Sequence, residues 1–395
     1  MKFLGYPRPD GSYGARNYVL VLPGGFIASK ICDFVVGTKT IVTAEYGLGR
    51  TVRDRATLAR LLIGLGKNPN VAGVLVHAGY PSAGFPEFSP QRLVEEISAT
   101  GKPVELVDPV TDGGTMGAIS KGIEIARRMV FEASKIRREP AGLEHLVLAV
   151  KCGHSDTTSG IAGNPAVGAM FDLLIDAGGT ALWGETTEVI GAEHIVAKRG
   201  ATPEVAQAIL EMVALQEARA LSTGEDIRGI NPVPSNIAGG LSTIEEKSLG
   251  AIQKSGHRPI QSAIQYAERP PTRGLHFVNN WPISFSIFAG YAAAGAQLVI
   301  YQLGGAGLPG RTVFESPPAV VSPLVWTTAN PNTYARGADN IDFFSGTILT
   351  GEEAVEQAGE RLLKLMVDAA SGTMTRSETL NYTDPVELYN LDPCF

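Results

Sequence analysis

Two short stretches hold the side chains best suited to acid–base chemistry. The first is Lys151-Cys-Gly-His-Ser-Asp156, continuing through Thr157 to Asn164-Pro165. The second is Gly184-Glu-Thr-Thr-Glu188. His154 has an ordinary pKa close to neutrality, which suits a group that moves protons; the plainer reading is a loop histidine that gives one hydrogen bond. Glu185 and Glu188 lie three residues apart and share a face on a helical turn, where they could act as base or metal ligands. The plainer reading of that pair is two acids favoured only by a helix start. Cys152 is either a small buried thiol or a metal ligand. Lys247 could hold a carboxylate, or could pair with Glu245 or Glu246 on a solvated helix. Arg16, next to Asn17, offers a planar fork that matches a carboxylate. Glu193 and His194 are adjacent, so at most one of them faces a common site.

These stretches must be carried by some element. Leu146 to Val150 is an unbroken apolar run, as in a strand buried on both faces. Asn164-Pro165 then opens a helically spaced stretch to Ile175, and proline suits a first helical turn. Ligands of open α/β sheets bind where strands end and helices begin, so this turn is the expected site. Gly179 to Trp183 is the next strand, ending just before Glu185. Elsewhere, Tyr18–Pro23, Ile41–Ala44, Val71–His77 and Pro103–Val107 read as strands. Thr57–Leu65, Gln91–Ala99 and Gly117–Lys135 read as helices. This alternation indicates parallel α/β layers. Residues 1–17 read as a leading loop. The polar, proline- and glycine-bearing segment 136–142 reads as a linker between an N-terminal domain, 1–135, and a C-terminal catalytic domain, 143–395. In the second domain, Pro203–Leu221, Gln297–Tyr301, Val320–Thr327 and Glu352–Ala370 supply further helices and strands, and the tail from Asn381 is turn-like. Gly304 to Gly310 follows a strand but lacks the spacing of a dinucleotide fingerprint, so no nucleotide is expected.

The 395 residues exceed one ordinary domain, and 44% hydrophobic with 18% charged residues is an ordinary globular composition. A net charge of −7 disfavours nucleic acid and anionic membranes as partners. Three cysteines make no disulfide framework, and no signal core or bilayer-length apolar span is visible, so a cytoplasmic setting is expected.

Four motifs in register resemble the altronate/galactarate dehydratase family of hydro-lyases. They are Gly5-Tyr-Pro-Arg-Pro-Asp-Gly11 with Gly14-Ala-Arg-Asn17; Lys151-Cys-Gly-His-Ser-Asp156 with Ser159 to Ala166; Gly184 to His194; and Gly239 to Gly250. The resemblance runs over nearly the whole chain. It implies two Rossmann-like layered domains, the C-terminal one a mostly parallel sheet with helices on both faces and an unusual crossover. It also implies a homodimer formed through the first domain. The implied activity is a carbon–oxygen hydro-lyase, or a related carbon–sulfur lyase, acting on a small hydroxylated carboxylate such as a sugar acid or sulfonated hydroxy acid. Such a reaction needs a base for a weakly acidic proton beside a carboxylate, an electrophile for the enolate-like intermediate, and help for the leaving group. The implied catalytic residues are His154, Glu185, Glu188 and Lys151. Substrate contacts fall to Arg16, Asn17, Ser155, Asp156, Thr157, Asn164, Thr186, Thr187 and Lys247. A metal would be held by Glu185, Glu188 and His194.

The chain also departs from the pattern. Glycine usually stands where this sequence has His154. Family cysteines are absent from Glu45-Tyr-Gly-Leu-Gly49 and Ala78-Gly-Tyr80, and Asn279 stands where an aspartate is common. The expectation is therefore at most one divalent ion (Mg²⁺, Mn²⁺ or Fe²⁺) and no iron–sulfur cluster. Single-chain members carry an additional small β-rich domain ahead of the Gly5 motif, so the resemblance implies either a large subunit partnered by a separately encoded small β-rich subunit or a chain that dispenses with that part. The competing expectation is an altered paralogue that binds a sugar acid, or serves as a subunit of a larger lyase complex.

Overall fold

The computed structural model describes residues 1–41, 49–79, 84–281, 284–305, 320–380 and 391. The chain opens with strands β1 (Lys2–Pro7) and β2 (Tyr13–Gly14). Next come β3 (Tyr18–Leu22), β4 (Thr38–Thr40), β5 (Val71–His77) and β6 (Val104–Val107), which form a parallel sheet in the order β4-β3-β5-β6. Strand β7 (Glu139–Gly142) runs back antiparallel along β1. The rest builds a seven-stranded parallel sheet from β8 (Val147–Gly153), β9 (Thr180–Trp183), β10 (Ile260–Gln265), β11 (Gly274–Asn279), β12 (Leu298–Leu303), β13 (Leu324–Thr328) and β14 (Phe343–Phe344). Its order is β10-β11-β9-β8-β12-β13-β14.

Alternation along the strands explains the layers. In the smaller sheet Val19 and Val21 face the helices Phe26–Phe34 and Gly114–Ala133, whereas Leu20 and Leu22 face Val52–Lys67 and Pro90–Ser98. In the larger sheet Leu148 and Val150 pack on Phe171, Leu174, Leu362 and Met366 from the helices Asn164–Asp176 and Val355–Ala370. Ala149 and Tyr301 pack the other way, on Ile287, Phe288 and Tyr291 of the helix Ser284–Ala293. The two layered domains are locked by Asn68 and Asn70, both fully buried. Asn68 Nδ2 donates to the carbonyls of Ala292 and Ala296, and Asn70 Nδ2 to those of Gln297 and Val321.

Three differences from the sequence reading have physical reasons. The leading loop and the linker are zipped together: Lys2 to Gly5 pair with residues 139–142, so each segment satisfies the other's backbone. A strand that was not read lies at Thr38–Thr40, where Thr-Lys-Thr is a half-buried edge with no apolar run to announce it; of the strand read at 41–44, all but Ile41 is outside the described residues. Strands β10 and β11 were not read at all. They are parallel neighbours joined by only the residues between Gln265 and Gly274, although a parallel pair usually needs a crossover of about a dozen residues or more. Among the described residues, no helix is long and apolar enough to cross a membrane. Tyr80, Gly307 to Gly310 and most of the tail fall outside the described residues.

Candidate active site

The carboxyl ends of β8, β9 and β11 converge on one buried cluster. Lys151 and Cys152 are consecutive on β8, so their side chains leave opposite faces, yet each meets a glutamate from the turn after β9. Lys151 Nζ lies 3.4 Å from Glu185 Oε1. The Cys152 thiol donates to Glu188 Oε1, and Lys254 Nζ donates to Glu188 Oε2. All five side chains are buried, with Lys254 at 2% exposure and Glu188 at 4%. Gly184 makes the turn: its φ is +144°, and a Cβ there would sit 2.2 Å from the Val278 carbonyl. Its carbonyl accepts from Asn280 Nδ2 at 2.9 Å and from the Tyr291 hydroxyl at 3.1 Å, fixing the peptide that carries Glu185. Glu185 Oε2 and Thr187 Oγ1 are buried without a hydrogen-bond partner among the described residues. Polar atoms left so in a packed interior are expected to face a ligand or water.

Burial and the neighbouring charges set different protonation states for these groups. Burial raises the Glu185 carboxyl above the ordinary range, and the Glu188 charge adds to that rise against the pull of Lys151. Burial acts on Glu188 in the same direction, but the Lys254 and Lys247 ammonium groups outweigh it and hold Glu188 below the ordinary range. Burial opposes charge on Lys151 and Lys254, yet their glutamate partners keep both ammonium groups charged well above their ordinary range. Burial, then Glu185 and Glu188, push the Cys152 thiol up to about 12, so it is protonated at neutral pH. His154 is lowered by burial and by Lys151 and Lys247, which leaves a neutral imidazole. Two carboxylates driven apart in acidity can divide the work of exchanging a proton and holding a charge.

The expected residues sort into three sets. Lys151, Glu185 and Glu188 meet directly; His154 and Lys247 stand close enough to act on them electrostatically. Ser155 joins through its hydroxyl, 3.4 Å from Cys152 Sγ. A second set shapes the walls. Asp156 is not free for substrate, because Oδ1 accepts from Thr158 Oγ1 and the Ser159 N–H, and Oδ2 from Asn330 Nδ2. Thr157 Oγ1 donates to the Gly239 carbonyl, Asn164 Nδ2 to the Gly250 carbonyl, and Thr186 Oγ1 to Asn279 Oδ1. A third set is elsewhere. Arg16 does not offer its fork to a substrate: it forms an ion pair with Glu378 at 2.6 Å and also donates to the Ala15, Ala369 and Thr373 carbonyls. Asn17 accepts from Arg8 and donates to the Ala133 carbonyl. His194 is exposed on the short helix Glu193–Ala197, outside the cluster, and Cys152 takes the third position beside the two glutamates. Cys152 Sγ and one oxygen from each of Glu185 and Glu188 lie within 4.8 Å of one another. Sequence reasoning missed Lys254 completely. Its signal was weak: one lysine in Gln253-Lys-Ser255, beyond the last motif.

His154 adopts φ +48°, in the left-handed region that a side chain other than glycine enters at a cost of about 1–2 kcal/mol. Its carbonyl accepts from the Gly305 N–H at 2.9 Å, so the turn is pinned. His154→Gly is expected to keep wild-type stability or gain up to about 1 kcal/mol, whereas His154→Val should lose about 1–2 kcal/mol, read by urea unfolding. Equal stability of the two variants would mean that the turn relaxes freely.

Comparison with known proteins places this cluster in context. Residues 143–391 match the family described as D-galactarate/altronate dehydratase, C-terminal, and residues 5–134 match D-galactarate dehydratase/altronate hydrolase, second domain. The (2R)-sulfolactate sulfo-lyase subunit beta of Chromohalobacter salexigens is 34% identical over 390 residues, covering 97% of this chain and 96% of that protein. The galactarate dehydratase (L-threo-forming) of Escherichia coli is 29% identical, covering 94% of this chain and 73% of the relative. The altronate dehydratase of Bacillus subtilis is 28% identical, with coverages of 97% and 76%.

Proposed function

Because the chain belongs to the D-galactarate/altronate dehydratase family, we propose that it is a lyase that eliminates a leaving group from a small hydroxylated carboxylate. The observation that carries this reading is the buried Lys151–Glu185 and Lys254–Glu188 arrangement at the strand ends, with Glu185 Oε2 unpartnered. Glu185 Oε2 takes the proton from the carbon beside the substrate carboxylate. The C–H electron pair becomes the new C=C bond, and the bond to the leaving group breaks with its electrons. Lys151, held charged, faces the negative charge that grows on the substrate carboxylate. The resulting enol then tautomerises to a 2-oxo acid. Closure of the cluster among Trp183, Tyr291 and Tyr301 keeps water from competing for the proton.

The donor set fits one divalent first-row ion. Cys152 Sγ, Glu188 and Glu185 would hold it, and it would supply Lewis-acid stabilisation of the enolate oxygens. A single thiolate falls short of the roughly four that a cubane cluster needs.

A carbon–sulfur substrate is favoured over a sugar acid by one observation. The sulfo-lyase relative matches at 34% identity over almost its whole length. Sulfite leaves as a stable anion, so its departure makes no demand on a proton donor. The name "subunit beta" on that relative motivates including a second, separately encoded subunit in the assay. The test incubates the purified protein with altronate, galactarate or (2R)-sulfolactate and with Mg²⁺, Mn²⁺ or Fe²⁺, following 2-oxo acid and sulfite. Sulfite release from sulfolactate is the expected result. Neither product from any substrate, with or without a second subunit, would count against a lyase.

A further inference from the structure

We propose that Lys247 reads a second negative charge on the substrate, so that the site selects dianions over monoanions of the same length. The inference rests on the reading of the cluster as the seat of an elimination from a carboxylate, and it adds which carboxylates enter. The charge inventory comes first. Lys151 is matched by Glu185 and Lys254 by Glu188, whereas Lys247 has no carboxylate partner among the described residues. Its ammonium donates to Asn231 Oδ1 at 2.8 Å and Asn236 Oδ1 at 3.0 Å, both neutral amides. The acids beside it on the helix Ile244–Ala251 are turned elsewhere: Glu245 pairs with Arg228 at 2.9 Å, and Glu246 accepts from Ser242. Three cations therefore stand against two carboxylates. Lys151 faces the reacting carboxylate in the proposed elimination and Lys254 is closed off by Glu188, so Lys247 is the ammonium left to face a second anionic group.

Geometry ties this cation to the reacting centre. Asn236 is 3% exposed and its Nδ2 donates to the Ser155 carbonyl at 2.8 Å, which turns Oδ1 toward Lys247. The Ser155 hydroxyl in turn donates to Cys152 Sγ at 3.4 Å. The Lys247 ammonium is thus held by a relay of two residues from the thiol, and it acts on Glu185, Glu188 and His154 alike. It is only half-buried, in contrast to Lys151 and Lys254, so it lies on the solvent side of the cluster. A primary ammonium with two donors committed to amides keeps one donor for an incoming oxygen. Such a position suits the sulfonate or second carboxylate of a three- to four-carbon acid.

The test uses succinate and butanoate, which share a four-carbon chain, differ by one charge and carry no leaving group. Calorimetric Kd values are measured for the full chain, wild type, Lys247→Gln and Lys247→Arg. Wild type should bind succinate about tenfold or more tightly than butanoate, with the preference shrinking at high salt. Lys247→Gln should bring the two within about twofold, while Lys247→Arg, which keeps the charge, should retain most of the preference and report that the loop is still formed. An unchanged preference in Lys247→Gln, or no preference in wild type, or no succinate binding at millimolar concentration, overturns the proposal. Because binding is read without turnover, a succinate preference in a protein that releases neither 2-oxo acid nor sulfite would leave this inference standing and remove the lyase reading.

Discussion

Replacing Glu185 by glutamine is expected to lower kcat about a thousandfold with little change in KM, the usual scale for removing a positioned general base. Glutamine keeps the shape of the side chain but leaves the buried Lys151 charge unmatched, so a folded, stable Glu185→Gln protein, checked by urea unfolding, is needed before the loss is read as that of the proton acceptor. The pH profile supplies the sharper reading. Glu185 must be ionised to act, so kcat/KM should fall as pH drops through its value, which burial and Glu188 place above the ordinary carboxylate range. Glu188→Gln removes one of the two influences that raise it. The acid limb should therefore move to lower pH in that variant, even as the maximum rate declines. An acid limb that stays put in Glu188→Gln, or Glu185→Gln at more than a tenth of wild-type turnover, would assign the base elsewhere, with His154 next in line.

The strand-end location of this chemistry was legible because β8 and β12 are buried on both faces. Leu-Val-Leu-Ala-Val and Gln-Leu-Val-Ile-Tyr leave no other reading, and whatever polar residue follows such a run must lie at the sheet edge. Glu185 and Glu188 were legible for the same reason, as the first acids after Trp183. Their partners were not. Lys254 sits in a short helical turn with no apolar period of its own, and only the tertiary fold brings it against a glutamate that is distant in the chain. Arg16 is engaged differently from the sequence expectation. A guanidinium beside an asparagine has the right chemistry for a carboxylate, but the carboxylate it meets is Glu378 of the same chain. His194 failed for a local reason: adjacent residues on a helix point about 100° apart, and Ala192 and Val196 already claim the buried face. The strands β10 and β11 escaped because their link is too short to look like a parallel crossover.

Breaking the Lys254–Glu188 pair should have the largest effect on stability of any single change at the site. Both partners are buried and ionised, and removing one leaves the other uncompensated in a low-dielectric setting, which costs about 3–5 kcal/mol. Lys254→Met removes the charge but keeps the length of the side chain. The sign of the pH dependence follows from Glu188. In wild type its carboxyl is depressed on folding, so it contributes stability above its unfolded value, and that contribution is lost as pH falls through the folded value. In Lys254→Met the same carboxyl keeps the burial and Glu185 but loses the strongest of its ammonium neighbours, so its folded value rises and its charge opposes folding at neutral pH. The deficit should accordingly be widest near pH 7 and shrink toward pH 4–5, measured by urea unfolding across that window. The double variant Glu188→Gln/Lys254→Met removes both charges and should recover much of the loss at pH 7, because the cost lies in the unpaired charge and not in the missing contact. A deficit below about 1 kcal/mol at pH 7, or one that does not change with pH, would show that Lys254 reaches solvent and that Glu188 is held charged by another group. In that event Lys247, the next-strongest ammonium acting on Glu188, is the first candidate to do it, and the Lys247→Gln variant should then carry the pH-dependent deficit in its place.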